Sequence, residues 1–322
     1  MRWYIWVGLG IAVVAVAAYF GLQQMNQPMI ATDAKALTEL RAEVDAQNES
    51  AFSRPLPSPV TIQPPNALKN VYFGDLHVHT NLSFDAYLFG NRLDPDTAYR
   101  IAKGEVSEIR TGEQVRLTRP LDFVALTDHA EGFGLHEACG WKKQSEAGLA
   151  YCAQFDEPSI TTFLALRKQG ETRPLTRDLS IYNNDLDTAM QFARSTWDKV
   201  REVAEGHNEP GRFTTFAAYE YSPPLPDSGK HHRNIIFRGS ETASDVVSAF
   251  DAASEIDLWK MLEAGCKAPC QFLTIPHNPN KTWGLAFANH TIDGIAYTEQ
   301  DWALRKRSEP IVEMFQIKGN SE

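Results

Sequence analysis

At 322 residues and 43% hydrophobic composition, the chain can bury one large α/β domain or two smaller ones. A formal charge of −10 with no Lys/Arg run argues against a nucleic-acid backbone as partner, since such partners are met by clustered cations.

Residues 3–22, WYIWVGLGIAVVAVAAYFGL, carry no charge and are long enough to cross a bilayer as a helix. The sequence supports either a retained signal anchor or a cleaved signal peptide over residues 1–24; the anchor fits better because the apolar run exceeds an ordinary signal-peptide core. With Arg2 before the span and an acidic domain after it, the folded part is expected to be extracytoplasmic.

Residues 25–69 read as a linker, helical near 33–47 and then rigidified by Pro55, Pro57, Pro59, Pro64 and Pro65. From residue 70 onward, apolar runs bounded by Pro, Gly or charge predict strands at VYFGDLHVH, DFVALTD, FTTFAAYEY, NIIFR, QFLTIP and IVEMFQI. Helical periodicity falls between some of them, at 94–103, 187–205 and 254–264, and such alternation implies a largely parallel sheet. Residues 131–184 are too long for an ordinary connection and read as an insertion over the mouth of a barrel.

The four cysteines suit an oxidising compartment, with pairing expected as Cys139–Cys152 and Cys266–Cys270. Buried free thiols and zinc ligation are the alternatives, zinc being the weaker because no CxxC spacing occurs.

His77 and His79 stand two apart in a predicted strand, so their imidazoles share a face and can grip one metal ion. Asp85 follows in a loop that can fold back towards them, and Asp128 and His129 end the strand FVAL, where α/β barrels gather catalytic groups. Glu220 ends a mostly apolar run and is costly to bury unless it meets a cation. His232 and His277 lie beside the runs NIIFR and QFLTIP. The remaining histidines, His136, His207, His231 and His290, are expected to bind no metal, although His231 could exchange with His232.

HVHTNLSFD resembles the first motif of the PHP (polymerase and histidinol phosphatase) superfamily, H-x-H-x-x-x-S-x-D, and LTDH resembles the second. The combination of YFGDLHVHT, LTDHAEGFG, HHRNIIFRG and IPHNP resembles the PHP-like domain-of-unknown-function family 3604, from about Val71 to the C-terminus. The resemblance implies a distorted seven-stranded (β/α)7 TIM-like barrel holding two or three divalent metals, zinc, manganese or iron. It assigns His77, His79 and Glu220 to a first metal, Glu220, His232 and His277 to a second, and Asp85 and His129 to a third. No Asp-x-His follows His277, which implies a barrel truncated before its last strands.

The function expected is extracytoplasmic hydrolysis of a small phosphorylated substrate by a metal-activated water. Glu220 and Asp128 serve as catalytic groups, and Arg233 or Lys281 holds the phosphate. Amide, ester or lactone hydrolysis at the same centre, and a metal-binding module without turnover, are the alternatives.

Overall fold

The computed structural model describes residues 21–23, 25, 69–109, 112–156, 158–170, 173–225 and 229–321. The apolar segment at 3–22 lies outside them except for Gly21 and Leu22, as does nearly all of the proline-rich linker. Among the described residues no helix is long and apolar enough to cross a membrane.

Strand β1 (Gly74–Val78) leads into helices α1 (Phe84–Leu88) and α2 (Pro95–Ala102), and a ribbon of β2 (Ser107–Glu108) and β3 (Gln114–Val115) precedes β4 (Phe123–Leu126). Helices α3 (Leu135–Cys139), α4 (Glu146–Asp156), α5 (Ile160–Gly170) and α6 (Leu186–His207) follow. Then come β5 (Thr214–Phe216), β6 (Ala218–Tyr221), β7 (Arg233–Phe237), α7 (Glu255–Gly265), β8 (Phe272–Pro276), α8 (Glu299–Ser308) and a last ribbon, β9 (Phe315–Gln316) with β10 (Gly319–Asn320).

Local chemistry accounts for these boundaries. Asp94 caps α2 by accepting from Thr97 N–H, with Pro95 occupying the first turn, where its missing N–H costs nothing. Asp185 caps α6 and Ser254 caps α7 in the same way. At Gly74 an added Cβ would lie 2.3 Å from the Phe123 ring and carbonyl, so glycine is what lets β1 close on β4.

Two three-stranded sheets form, β1-β4-β5 parallel and β6-β7-β8 antiparallel. They meet at a parallel bridge between His129 and Glu220, where Glu220 N–H donates to the Asp128 carbonyl at 2.9 Å. The Asn234 amide adds a second link by donating to the Leu76 carbonyl at 2.9 Å. On one face of the antiparallel sheet Tyr219, Ile235 and Phe237 pack with Trp197 of α6 and Trp259 of α7 in the main core. The opposite face carries Glu220 between the sheets.

This corrects the expected fold: the sheets have two or three strands each and none closes into a (β/α)7 barrel. The cause lies in the connections. Among the described residues no helix lies between β6 and β7, and the two strands pair antiparallel, where a parallel neighbour would need a crossover. The strand expected at IVEMFQI shrinks to the two-residue β9; its earlier part contributes one backbone hydrogen bond to β8, from Glu313 N–H to the Pro276 carbonyl at 3.0 Å.

The insertion at 131–184 is largely helical, built from α3, α4 and α5. The Cys139–Cys152 disulfide ties α3 to α4 over a small core of Ala138, Ile181, Tyr182 and Ala189. Cys266 and Cys270, just after α7, form the second disulfide, so both expected pairs are present.

Candidate metal centre

Glu220 is 1% exposed, and its carboxylate is ringed by five histidines drawn from both sheets. Oε2 lies 3.3 Å from Nε2 of His77, within β1, and 3.3 Å from Nε2 of His79, just past its end. Oε1 lies 3.3 Å from His129 Nδ1 after β4, 2.5 Å from His232 Nδ1 before β7 and 3.3 Å from His277 Nε2 after β8. Asp85, carried back by α1, places Oδ2 3.2 Å from His129 Nε2.

Hydrogen bonds outside this ring settle which nitrogens face inward. Ser83 Oγ donates to Asp128 Oδ1 at 2.9 Å, so its lone pairs accept from the His129 backbone N–H at 3.0 Å and from His79 Nδ1 at 2.7 Å. That turns His79 Nε2 to Glu220. Ser222 Oγ donates to Glu220 Oε1 at 3.0 Å and accepts from His129 Nδ1 at 2.5 Å, leaving His129 Nε2 for Asp85. Glu313 Oε1 accepts from His77 Nδ1 at 3.0 Å, presenting His77 Nε2 to Glu220. Fixing a histidine through its outer nitrogen in this way is the usual device around bound metals.

The donor set fits a divalent metal. Glu220 Oε2, His79 Nε2 and both ring nitrogens of His277 are buried without a hydrogen-bond partner. Orphaned polar atoms of this kind are costly unless a cation completes them. Three trios each bring ligand atoms within 4.8 Å of one another: His77/Glu220/His277, His79/Asp85/His129 and His129/Glu220/His232. This grouping moves His79 from Glu220's first metal to the company of Asp85 and His129, and gives His77 the partner His277.

Among the protein groups alone, burial opposes every charge here, yet mutual attraction keeps several. Despite its burial, Glu220 is held well below the usual carboxylate range by His129, His277 and His232. Burial works against His77, but its contacts with Glu220 and Glu313 prevail and lift it to about 9. Against the same opposition, Glu220 and Asp85 lift His129 to about 9. Asp85 is lowered, its burial outweighed by His129 and His79. Burial wins at His277, pushed down to about 4, and at His232, driven well below 6.5.

All seven residues expected to bind metal, His77, His79, Asp85, His129, Glu220, His232 and His277, thus converge. Two of the groups expected to be catalytic have other partners. Asp128 accepts from Thr80 N–H at 2.6 Å, Thr80 Oγ1 at 2.7 Å and Ser83 Oγ at 2.9 Å, and so positions the loop after β1. Arg233 lies on the core face, its Nε donating to Glu309 at 2.6 Å and Nη1 to the His231 carbonyl at 2.9 Å. His231, beside Glu255 at 3.5 Å, belongs to that second buried network.

Four contributors escaped the sequence: Glu313, Ser222, Glu131 and Lys230. Glu131 Oε1 accepts from Ser222 N–H at 3.2 Å and Ala249 N–H at 2.7 Å, holding the loop that carries Ser222. Glu313 bore the same signal as Glu220, an acid inside an apolar run. Nothing local marks Ser222 or Lys230.

No curated protein and no solved structure matches the chain. The family model described as "Protein of unknown function (DUF3604)" matches residues 66–322, a span that takes in every residue of the metal centre. The chain belongs to the DUF3604 family.

Proposed function

We propose that the chain is a metal-dependent hydrolase of phosphoesters, with two or three zinc, manganese or iron ions at the Glu220 centre and motifs that relate it to the PHP superfamily. The observation that carries this reading is the Glu220 carboxylate shared among five histidines, with buried nitrogen and oxygen atoms left unpaired. Divalent ions at such a centre supply Lewis acidity and lower the pKa of bound water. The chain's own part is to fix ring orientation through Ser83, Ser222 and Glu313 and to keep Glu220 ionised. It also offers Lys230, which lines the adjoining cavity with Asp85, His129 and His232, as the cation for a substrate oxyanion.

Two disulfides support placement in an oxidising, extracytoplasmic compartment. A second reading, hydrolysis of a carboxyl ester, amide or lactone, draws support from the engagement of Arg233 by Glu309, which leaves Lys230 and Arg167 as the cationic side chains lining the cavity. Elemental analysis of the full chain beside His77→Ala and His277→Ala, followed by parallel phosphoester and carboxyl-ester assays with zinc or manganese, tests the proposal. Equal metal content in all three proteins, or no turnover of either ester class, defeats it.

A further inference from the structure

The metal centre opens on one side into a cavity of about 400 Å³, inside the range of roughly 300–1,000 Å³ common for small-molecule sites. Its polar floor is Asp85, His129 and His232 with Lys230 beside them. Its walls are mostly apolar, with Leu88 and Phe89 at the end of α1, Phe155 and Phe163 from the inserted helices and Leu225 and Phe250 from the later loops, and with Arg167 and Asp178 among them. Phe89 and Phe163 meet at 5.3 Å between ring centroids, and Phe89 remains 64% exposed, a large apolar side chain left facing solvent. A small hydrophilic phosphoester would fill little of this volume and leave the apolar wall wet.

From this arrangement we infer that the substrate is amphipathic, a phosphomonoester whose anionic head rests on the metal centre near Lys230 and whose alkyl or aryl body lies between α1 and the inserted helices. For turnover the inference rests on the hydrolase reading; for binding it does not. In the reaction water adds to phosphorus, the phosphorus–oxygen bond to the apolar alcohol breaks, and a proton from the water passes to the departing alkoxide.

The test uses the full chain loaded with zinc or manganese. Calorimetry compares octylphosphonate with methylphosphonate, neither of which is hydrolysed, and phosphate release is followed from octyl and methyl phosphate. Burial of the longer chain predicts octylphosphonate affinity at least about a hundredfold higher. Phe163→Ser and Leu225→Ser each shrink that ratio at least about tenfold while metal content holds. Equal affinity for the two phosphonates overturns the inference, even if both phosphates are cleaved. Chain-length-dependent binding without phosphate release upholds the ligand class and defeats the hydrolase reading.

Discussion

His77 Nδ1 lies 3.0 Å from Oε1 of Glu313, a carboxylate 236 residues later in the chain, while Nε2 of the same ring faces Glu220 Oε2 at 3.3 Å. One imidazole is therefore clamped between an outer acid and an inner one. Truncating the outer acid frees the ring to rotate and removes a charge that makes it a better donor. Glu313→Ala is expected to weaken metal binding at the His77 trio by about 10–100-fold, with Glu313→Gln milder because its amide oxygen still accepts from Nδ1. Competition against a graded set of chelators measures this, and unchanged affinity in Glu313→Ala removes Glu313 from the site.

Metal affinity is expected to climb with pH. His77 and His129, each lifted to about 9 by neighbouring carboxylates that outweigh burial, carry protons at neutral pH that an incoming ion must displace. Apparent affinity then rises by up to about tenfold per pH unit for each proton displaced, levelling above pH 9. In chelator-treated protein the sign reverses. Groups whose folded pKa is raised stabilise fully below their unfolded value of about 6.5, and lose that contribution as pH climbs through 9. His231 and His277, pushed down to about 4 chiefly by burial, act oppositely, costing stability as pH falls below about 6.5. Thermal melts of the chelated protein should therefore peak near that pH, and a monotonic profile from pH 5 to 9 contradicts the assignment.

Asp128→Ala leaves three buried donors, Thr80 N–H, Thr80 Oγ1 and Ser83 Oγ, without their acceptor. At about 1–3 kcal/mol for each orphaned group, a loss of at least about 3 kcal/mol is expected. Because Ser83 also orients His79, metal content should drop as well. Urea unfolding and elemental analysis check the two effects separately; loss of metal with full stability would point to direct ligation by Asp128 instead.

Arg233→Met removes a partner of Glu309, whose side chain is 2% exposed and among the described residues keeps Arg305, at 3.0 Å, as its other cation. Breaking a buried pair from one side costs about 3–5 kcal/mol. Metal content should stay at the wild-type level, since none of the three ligand trios includes Arg233. A catalytic Arg233 would give the opposite pattern, normal stability with lost turnover.

The two disulfides close loops of different size, with separations of 13 residues for Cys139–Cys152 and 4 for Cys266–Cys270. Chain-entropy arguments give about 3 kcal/mol for the first and about 2 for the second. Replacing Cys139 and Cys152 by serine should accordingly lower the melting temperature more than replacing Cys266 and Cys270. It should also loosen α4, whose Tyr151 and Phe155 line the cavity. Hydrogen exchange across the inserted helices reports that loosening.

The residues that converge on Glu220 are readable in the sequence because each carries its own chemistry: paired histidines on one strand face, a histidine at a strand end, an acid closing an apolar run. Sheet direction was not readable in the same way. FTTFAAYEY and NIIFR look alike whether the chain crosses over or turns back between them, and the lack of helical periodicity at 222–232 is the one local cue for turning back. Helices at 94–103, 187–205 and 254–264 fell within a few residues of α2, α6 and α7, since strong caps mark their starts. Ser222 and Lys230 owe their roles to a loop folded against the β4 end, a long-range fact that no local pattern encodes.

Glu220 sits where the parallel and antiparallel sheets touch, with candidate ligands before residue 130 on one side and after residue 230 on the other. An ion bound there is thus a rivet through the molecule's main internal joint, fastening early and late parts of the chain that otherwise share little pairing. Ion binding and mechanical integrity would then be properties of the same few atoms. A protein built this way has little freedom to repurpose its metal centre without renegotiating how its two sheets hold together.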